Sequence, residues 1–211
     1  MFNLGKNPFL HELKVKTAGS VLVDILQTIV LALGFSLFIY LVFLIPSQVE
    51  GPSMEPNFYN RELLFADRTV QWIGSVGIGA NFYDYKKGDV VIFDFNGINL
   101  IKRIVATEGD TVRISDSKVY VNEVELKEPY LPAGRETVLP DPSKSTFNED
   151  EAVKVPENSF FLLGDNRAIS KDSRYDDVNF VSRNHLKGRV FLRYWPANKF
   201  GTIRSGEASQ T

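Results

Sequence analysis

Residues 98–105 read Ile98-Asn99-Leu100-Ile101-Lys102-Arg103-Ile104-Val105. The stretch is rich in β-branched residues, contains no Gly or Pro, and reads as a strand. Successive side chains of a strand alternate between faces. Lys102 therefore shares a face with Ile98, Leu100 and Ile104, while Arg103 shares the other with Asn99, Ile101 and Val105. A charged lysine on an apolar face is costly, so burial lowers its pKa from about 10.4. A neutral amine at working pH can take a proton from a serine hydroxyl. On an edge strand the same lysine would lay its stem along the surface and keep its ammonium in water. The segment alone leaves both readings open.

The flanking chain is also β in character. Val90 to Phe93, Val119 to Val121, Phe160 to Leu163 and Val190 to Tyr194 are short β-branched or aromatic runs punctuated by Gly, Asp and Asn. Val119 to Leu126 reads as a hairpin turning at Asn122-Glu123. Gly134 to Glu151 holds Pro140, Pro142, Ser143, Ser145 and an acidic cluster, and reads as a long surface loop. The polar end from Gly206 reads as a disordered tail. No helix is expected in this β-rich part.

Toward the N-terminus the pattern changes. Ile25 to Ile45 is a run of 21 residues whose only strongly polar member is Gln27. As a helix it spans roughly 31 Å, the thickness of a hydrocarbon core. A buried core helix would need other segments to cover it on all sides. A cleaved signal peptide would have a shorter apolar region ending in small residues; here Pro46-Ser47-Gln48-Val49-Glu50 follows. Lys6, Lys14 and Lys16 precede the run, and no Lys or Arg lies between Pro46 and Asn60. The positive-inside rule then puts the N-terminus in the cytoplasm. The expected organisation is a cytoplasmic segment over 1–20, a single transmembrane helix over 21–46, an extracytoplasmic domain over 47–203 and a tail over 204–211.

Composition narrows the chemistry. The net charge of −2 over 211 residues argues against a nucleic-acid partner. The absence of cysteine removes disulfides, Cys-ligated zinc and a Cys nucleophile. His11 and His185 are the only histidines. His11 precedes the anchor, and His185 sits in the polar stretch 182–188, where a turn is the simpler reading. No metal or organic cofactor is suggested.

Two further stretches carry polar groups in unusual density. Gly51-Pro52-Ser53-Met54-Glu55-Pro56 brackets a serine between two prolines, which restricts the backbone. Ser53 lies eight residues past Ile45, at most roughly 3.5 Å of extended chain per residue from the membrane edge. Taken alone this is also what a Pro-rich linker looks like. Gly164-Asp165-Asn166-Arg167-Ala168-Ile169-Ser170-Lys171-Asp172-Ser173-Arg174 directly follows the apolar run ending at Leu163. A solvated loop is the plain reading, but Asp172 and Arg174 are spaced for a local ion pair that would stiffen the turn.

In this order, Ser53-Met-x-Pro, then Lys102-Arg103, then the stretch 164–174, the motifs resemble the bacterial type I signal peptidase family. Glu108-Gly109-Asp110 and Arg193-Tyr194-Trp195-Pro196 resemble it too. The resemblance runs from the anchor to about Pro196. It implies a mainly β fold: one transmembrane helix, then a β-rich catalytic domain with a β-region inserted over about 107–157. It implies Ser53 as nucleophile, Lys102 as general base and Ser170 as the hydroxyl that orients the amine. Asp172 and Arg174, with Asp165 and Arg167, would scaffold the site. Met54, Leu100 and Ile101 are candidate walls for the small side chains such enzymes accept. The implied partners are precursor proteins bearing signal peptides and the lipid bilayer; the implied place is the bacterial cell membrane, and the implied state a monomer.

One position departs from the family. Some members carry a serine two residues before the nucleophile, where its hydroxyl helps hold the oxyanion; here that residue is Gly51. The backbone N–H of Ser53 would carry most of that duty. A catalytically silent membrane-anchored module and a self-cleaving repressor are the rivals. The joint presence of Ser53, Lys102 and Ser170 speaks against the first, and the N-terminal anchor against the second.

Overall fold

The computed structural model describes residues 18–76, 83–145 and 147–206. Lys6, His11, Lys14, Lys16 and the last five residues of the expected tail lie outside the described residues. The chain divides into two units, 1–41 and 42–211. The described part of the first is an apolar helix. Helix α1 spans Ala18–Phe43, and none of its side chains is buried. Its 26 residues reach roughly 39 Å, long enough to cross a bilayer. It ends before the apolar run does. Pro46 has no N–H to give and pushes Ile45 out of the helical region, so Leu44–Gln48 becomes a strand, β1.

The second unit is built on antiparallel strands. In chain order these are β2 (Leu63–Asp67), β3 (Val90–Phe95), β4 (Ile98–Thr107), β5 (Thr111–Ser115), β6 (Lys118–Val121), β7 (Val124–Glu125), β8 (Val153–Lys154), β9 (Ser159–Leu163), β10 (Val181–Ser182), β11 (Leu186–Trp195) and β12 (Gly201–Thr202). The larger sheet runs β1-β2-β11-β3-β4-β9-β10, with β12 beside β11. The smaller runs β7-β6-β5-β8, and all its strands fall between β4 and β9 in sequence. At the β6–β7 hairpin Asn122 and Glu123 both have positive φ, 53° and 64°. That is the backbone a two-residue turn with right-handed strand twist demands.

Strand β4 is central to the larger sheet. Residues Ile101 to Ala106 are all buried, because apolar clusters cover it on each side. Leu100 and Ile104 pack with Val91, Phe93 and Leu162. Ile101 packs with Met54, Phe58 and Ile92. Val105 and Ala106 join a third cluster with Val112, Val119 and Val121 of the smaller sheet and with Phe161 of β9. Buried on both faces, β4 hides Lys102 and Arg103 alike, at 2% and 4% exposure.

Two expectations need correcting. A second helix, α2 (Thr69–Val76), follows β2. Asp67 starts it by accepting hydrogen bonds from the N–H and hydroxyl of Thr69. The stretch Gly134 to Glu151 is not wholly surface. It forms a short 3₁₀ turn at Pro142–Lys144, and it buries Thr137 and Phe147. Phe147 meets Phe161 and Phe180 edge-on, with ring centroids 5.4 and 5.6 Å away.

Phe161 is fully buried between the two sheets. Replacing it with alanine should cost about 3–5 kcal/mol through lost burial and the cavity left behind. A denaturant titration of the Phe161→Ala protein in detergent, read at its midpoint, checks this.

Candidate active site

The site forms where three segments meet. Lys102 comes from β4, paired with Val91 of β3. Its Nζ lies 2.9 Å from Ser53 Oγ and donates to the Ile101 carbonyl, also at 2.9 Å. Burial, the largest influence, lowers the ammonium's pKa to about 8; Asp172 and Asp165 pull it up, and Arg174 pushes it down. At mildly alkaline pH the amine is therefore largely neutral, and its lone pair can accept the Ser53 hydroxyl proton.

Ser53 sits in a tight turn rooted in the core. Glu55 N–H donates to the Pro52 carbonyl and Phe58 N–H to the Met54 carbonyl. Met54 and Phe58 are buried. Gly51 opens the turn with φ 76°, and its N–H donates to Asn60 Oδ1 at 3.1 Å. This left-handed backbone favours glycine, which gives a physical reason for Gly51 where relatives can carry serine.

The third segment is the loop 164–174. The Asn166 backbone donates to the Ser53 carbonyl at 3.0 Å, and its side chain to the Pro52 carbonyl at 3.2 Å. The loop is thus tied to the backbone of Ser53. Arg174 and Asp172 form a buried ion pair at 2.8 Å. The same aspartate accepts from Gly164 N–H at 2.9 Å, and Arg174 donates to the Ser170 and Val138 carbonyls. Asp165 pairs not with Arg167 but with Arg103, through two bonds of 2.9 and 2.7 Å. Arg167 pairs with Glu128. Ser170 Oγ is buried and makes no hydrogen bond among the described residues. Gly164 explains how tightly it is held: a Cβ there would fall 2.0 Å from Ser170 Oγ and 2.5 Å from the Ser53 carbonyl.

A cleft of about 40 Å³ opens beside this pair, lined by Met54, Leu100, Ile101, Gln48 and Glu50 among others. A larger hollow, about 420 Å³, is lined by Glu108, Lys154 and Pro156 and holds no hydroxyl nucleophile. His185 is exposed in a 3₁₀ turn and faces a different hollow, with Phe93, Asp94 and Asp177.

Sequence reasoning missed Arg103, Asn57, Glu128 and Asn166. Arg103 did carry a signal. Two adjacent cations in an apolar strand point to opposite faces, so if both are buried each needs its own solution, and a fixed guanidinium requires a carboxylate.

A family model described as signal peptidase, peptidase S26, matches residues 22–195. Signal peptidase I S of Bacillus subtilis (strain 168) is 31% identical over 173 residues, covering 82% of this chain and 89% of that protein. Signal peptidase I of Bacillus licheniformis is 32% identical over 192 residues, covering 90% of this chain and 97% of its own. A crystal structure of a signal peptidase I from Enterococcus faecalis V583 shares 32% identity with it, spanning 50% of this chain and 96% of that one at a TM-score of 0.41.

The packing at Gly164 makes a sharp prediction. Gly164→Ala must displace Ser170 or the Ser53 backbone, and a misplacement of about 1 Å is worth roughly 100-fold in rate. Peptide cleavage by the folded variant should fall by that order, while Gly97→Ala, at a glycine with open space around it but φ 84°, should lose stability and keep its turnover.

Proposed function

This chain belongs to the signal peptidase family, peptidase S26, and from that membership we propose that it removes signal peptides from exported precursor proteins by a Ser53–Lys102 mechanism. The 2.9 Å contact between Lys102 Nζ and Ser53 Oγ carries the assignment. Neutral Lys102 takes the hydroxyl proton as Ser53 Oγ attacks the scissile carbonyl carbon. The Ser53 N–H steadies the oxyanion. Lys102 then passes its proton to the leaving amine as the C–N bond breaks, leaving an ester on Ser53. Water, deprotonated by Lys102, then adds to the ester carbon; Lys102 returns that proton to Ser53 Oγ as the ester C–O bond breaks, and the signal peptide leaves with its new carboxyl group.

The substrate lies extended along β4. Residues Ile98 to Lys102 pair with β3 on one side, and pairing with β9 begins only at Arg103. An added strand can use that free edge. The narrow cleft walled by Met54, Leu100 and Ile101 suits small side chains. Ser170 aims the amine, and the Asp165, Arg167, Asp172 and Arg174 pairs hold the loop that carries it. All these groups come from one chain, so a monomer suffices.

Helix α1 is the one bilayer anchor among the described residues, with the N-terminus cytoplasmic and the catalytic domain on the other side. Ser53 follows Phe43 by ten residues, at most about 35 Å of extended chain. Cleavage therefore takes place near the membrane surface. A reporter fused after Trp195 should read as extracytoplasmic, and a cytoplasmic signal would reverse the orientation.

Ser53→Ala and Lys102→Ala should each nearly abolish cleavage of a precursor with an Ala-x-Ala site, and the double variant should be little worse. Lys102→Arg should fail as well, because a guanidinium stays protonated. Protonated Lys102 cannot act as base, so kcat/KM should fall about tenfold per unit as pH drops below its pKa, which burial sets at about 8. A limb near pH 6.5, abolished by His185→Ala, would transfer the role to histidine.

A further inference from the structure

Between the two sheets, the tripeptide Glu128-Pro129-Tyr130 touches all three segments of the site. Glu128 accepts from Arg167 through both carboxylate oxygens, one of them at 2.9 Å. Arg167 is 1% exposed and also donates to Thr137 and to the Gly164 carbonyl. The Tyr130 hydroxyl donates to Glu128 at 2.6 Å, and its ring lies 4.0 Å beneath the Arg103 guanidinium. The Tyr130 carbonyl accepts from Asn57 Nδ2 at 2.8 Å. That same amide nitrogen donates to Asp165 at 2.8 Å, and Asn57 lies four residues past Ser53. Burial foremost, and then Glu128, raise the phenol's pKa, so Tyr130 stays a donor.

We propose that Glu128 and Tyr130 are positioning residues for the Ser53–Lys102 pair, clasping the Ser53 turn, the Lys102 strand and the 164–174 loop into one dry assembly. The inference rests on the assignment of Ser53 and Lys102 as nucleophile and base. Its physical basis is the two buried guanidinium groups. Arg103 has Asp165 as counter-charge and the Tyr130 ring as floor. Arg167 has Glu128 as its sole ion-pair partner among the described residues. A buried guanidinium stripped of its carboxylate seeks water, and here it can reach water only by moving the loop that holds Ser170 and contacts the Ser53 carbonyl.

Loosening that loop also changes the setting of Lys102. The charged groups that act on it are Asp172, Asp165 and Arg174, with burial the largest influence; Arg103 neighbours it on β4, and Glu50 lines its cleft. Water entering beside the amine weakens the burial effect, so its pKa rises toward the ordinary lysine value. The acid limb of kcat/KM then moves to higher pH. A residue that only stabilises the fold would leave that limb in place in the folded molecules.

The test compares Glu128→Gln, Tyr130→Leu and Val121→Ala, the last a core truncation in the smaller sheet outside the clasp. Full-length enzymes in detergent are titrated for folded fraction below their melting temperatures and assayed on an Ala-x-Ala precursor peptide from pH 6 to 10. For each clasp variant, kcat per folded molecule should fall about tenfold or more at nearly unchanged KM. The limb should rise by about half a pH unit or more. Val121→Ala should keep the parental kcat and limb. Should Glu128→Gln not fold, Tyr130→Leu, which leaves the Glu128–Arg167 pair intact, carries the same expectation. Parental kcat and limb in a folded clasp variant would overturn the proposal, as would a loss no greater than that of Val121→Ala with the limb unmoved. Ser53→Ala runs in parallel: cleavage by that variant would overturn the nucleophile assignment itself, a result distinct from failure of the clasp.

Discussion

Two cations side by side in a buried strand, Lys102 and Arg103, set the terms for the rest of this structure. Both are almost fully buried, and burial penalises either charge by several kcal/mol unless it is matched. The chain resolves the two in opposite ways. Arg103, which cannot lose its proton, receives a two-pronged carboxylate from Asp165, the Gly88 carbonyl and an aromatic floor. Among the described residues Lys102 receives no carboxylate in contact, only a carbonyl and the Ser53 hydroxyl. It is the ionisable partner that yields, and a lysine that yields its proton is what a hydroxyl nucleophile needs. Asp165 and Asp172 act on it from a distance and hold its pKa up near 8. A complete salt bridge would have kept the amine charged.

The fold's reliance on this solution shows in where the polar groups are spent. Asp165, Arg167, Ser170, Asp172, Ser173 and Arg174 are all buried, and every one but Ser170 has its side chain hydrogen-bonded, which is what lets so dense a buried polar network persist. Ser173 closes the loop on β9 by accepting from the Leu162 N–H and donating its own N–H to the Leu162 carbonyl. The loop is thus fixed to the sheet at one end and to the Ser53 turn, through Asn166, at the other. Ser170 lies between these two ties with its hydroxyl uncommitted and no room to drift past Gly164. In the proposed reaction this is the hydroxyl that aims the Lys102 amine.

Much of this was legible from residue types. The runs Val90 to Phe93, Ile98 to Val105 and Phe160 to Leu163 announce β3, β4 and β9 because β-branched and aromatic residues fill buried strands. Asn122-Glu123 announces a turn. Strand β1 was not legible, since Leu44 and Ile45 continue an apolar run that suits a bilayer equally well. Only Pro46 marks the change. Helix α2 was hidden for a different reason: Thr69-Val70-Gln71-Trp72-Ile73-Gly74-Ser75-Val76 is rich in residues that favour strands, and its start depends on the Asp67 cap. The ion pairs show the sharper limit. Proximity in sequence allows Asp172 with Arg174, which do meet in space through two side-chain hydrogen bonds, but it cannot connect Arg103 with Asp165 or Arg167 with Glu128. Those pairings cross 62 and 39 residues and exist only once β4, β9 and the segment between the sheets have closed.

That closure has a consequence for how the smaller sheet relates to the chemistry. Its strands contribute no group to the Ser53–Lys102 pair, and its apolar side chains serve the cluster around Phe161. Beside that apolar cluster, which also holds Val105 and Ala106 of β4, polar contacts tie it to the site: Glu128 and Thr137 on Arg167, and the Val138 carbonyl on Arg174. An apolar contact tolerates small slips with little loss, whereas a charge-assisted hydrogen bond weakens steeply with distance and angle. The segment 128–138 is therefore the stiffer coupling between the smaller sheet and the loop that holds Ser170. A substitution in the smaller sheet that leaves these three contacts alone should affect stability first, and one that breaks any of them should reach Ser53.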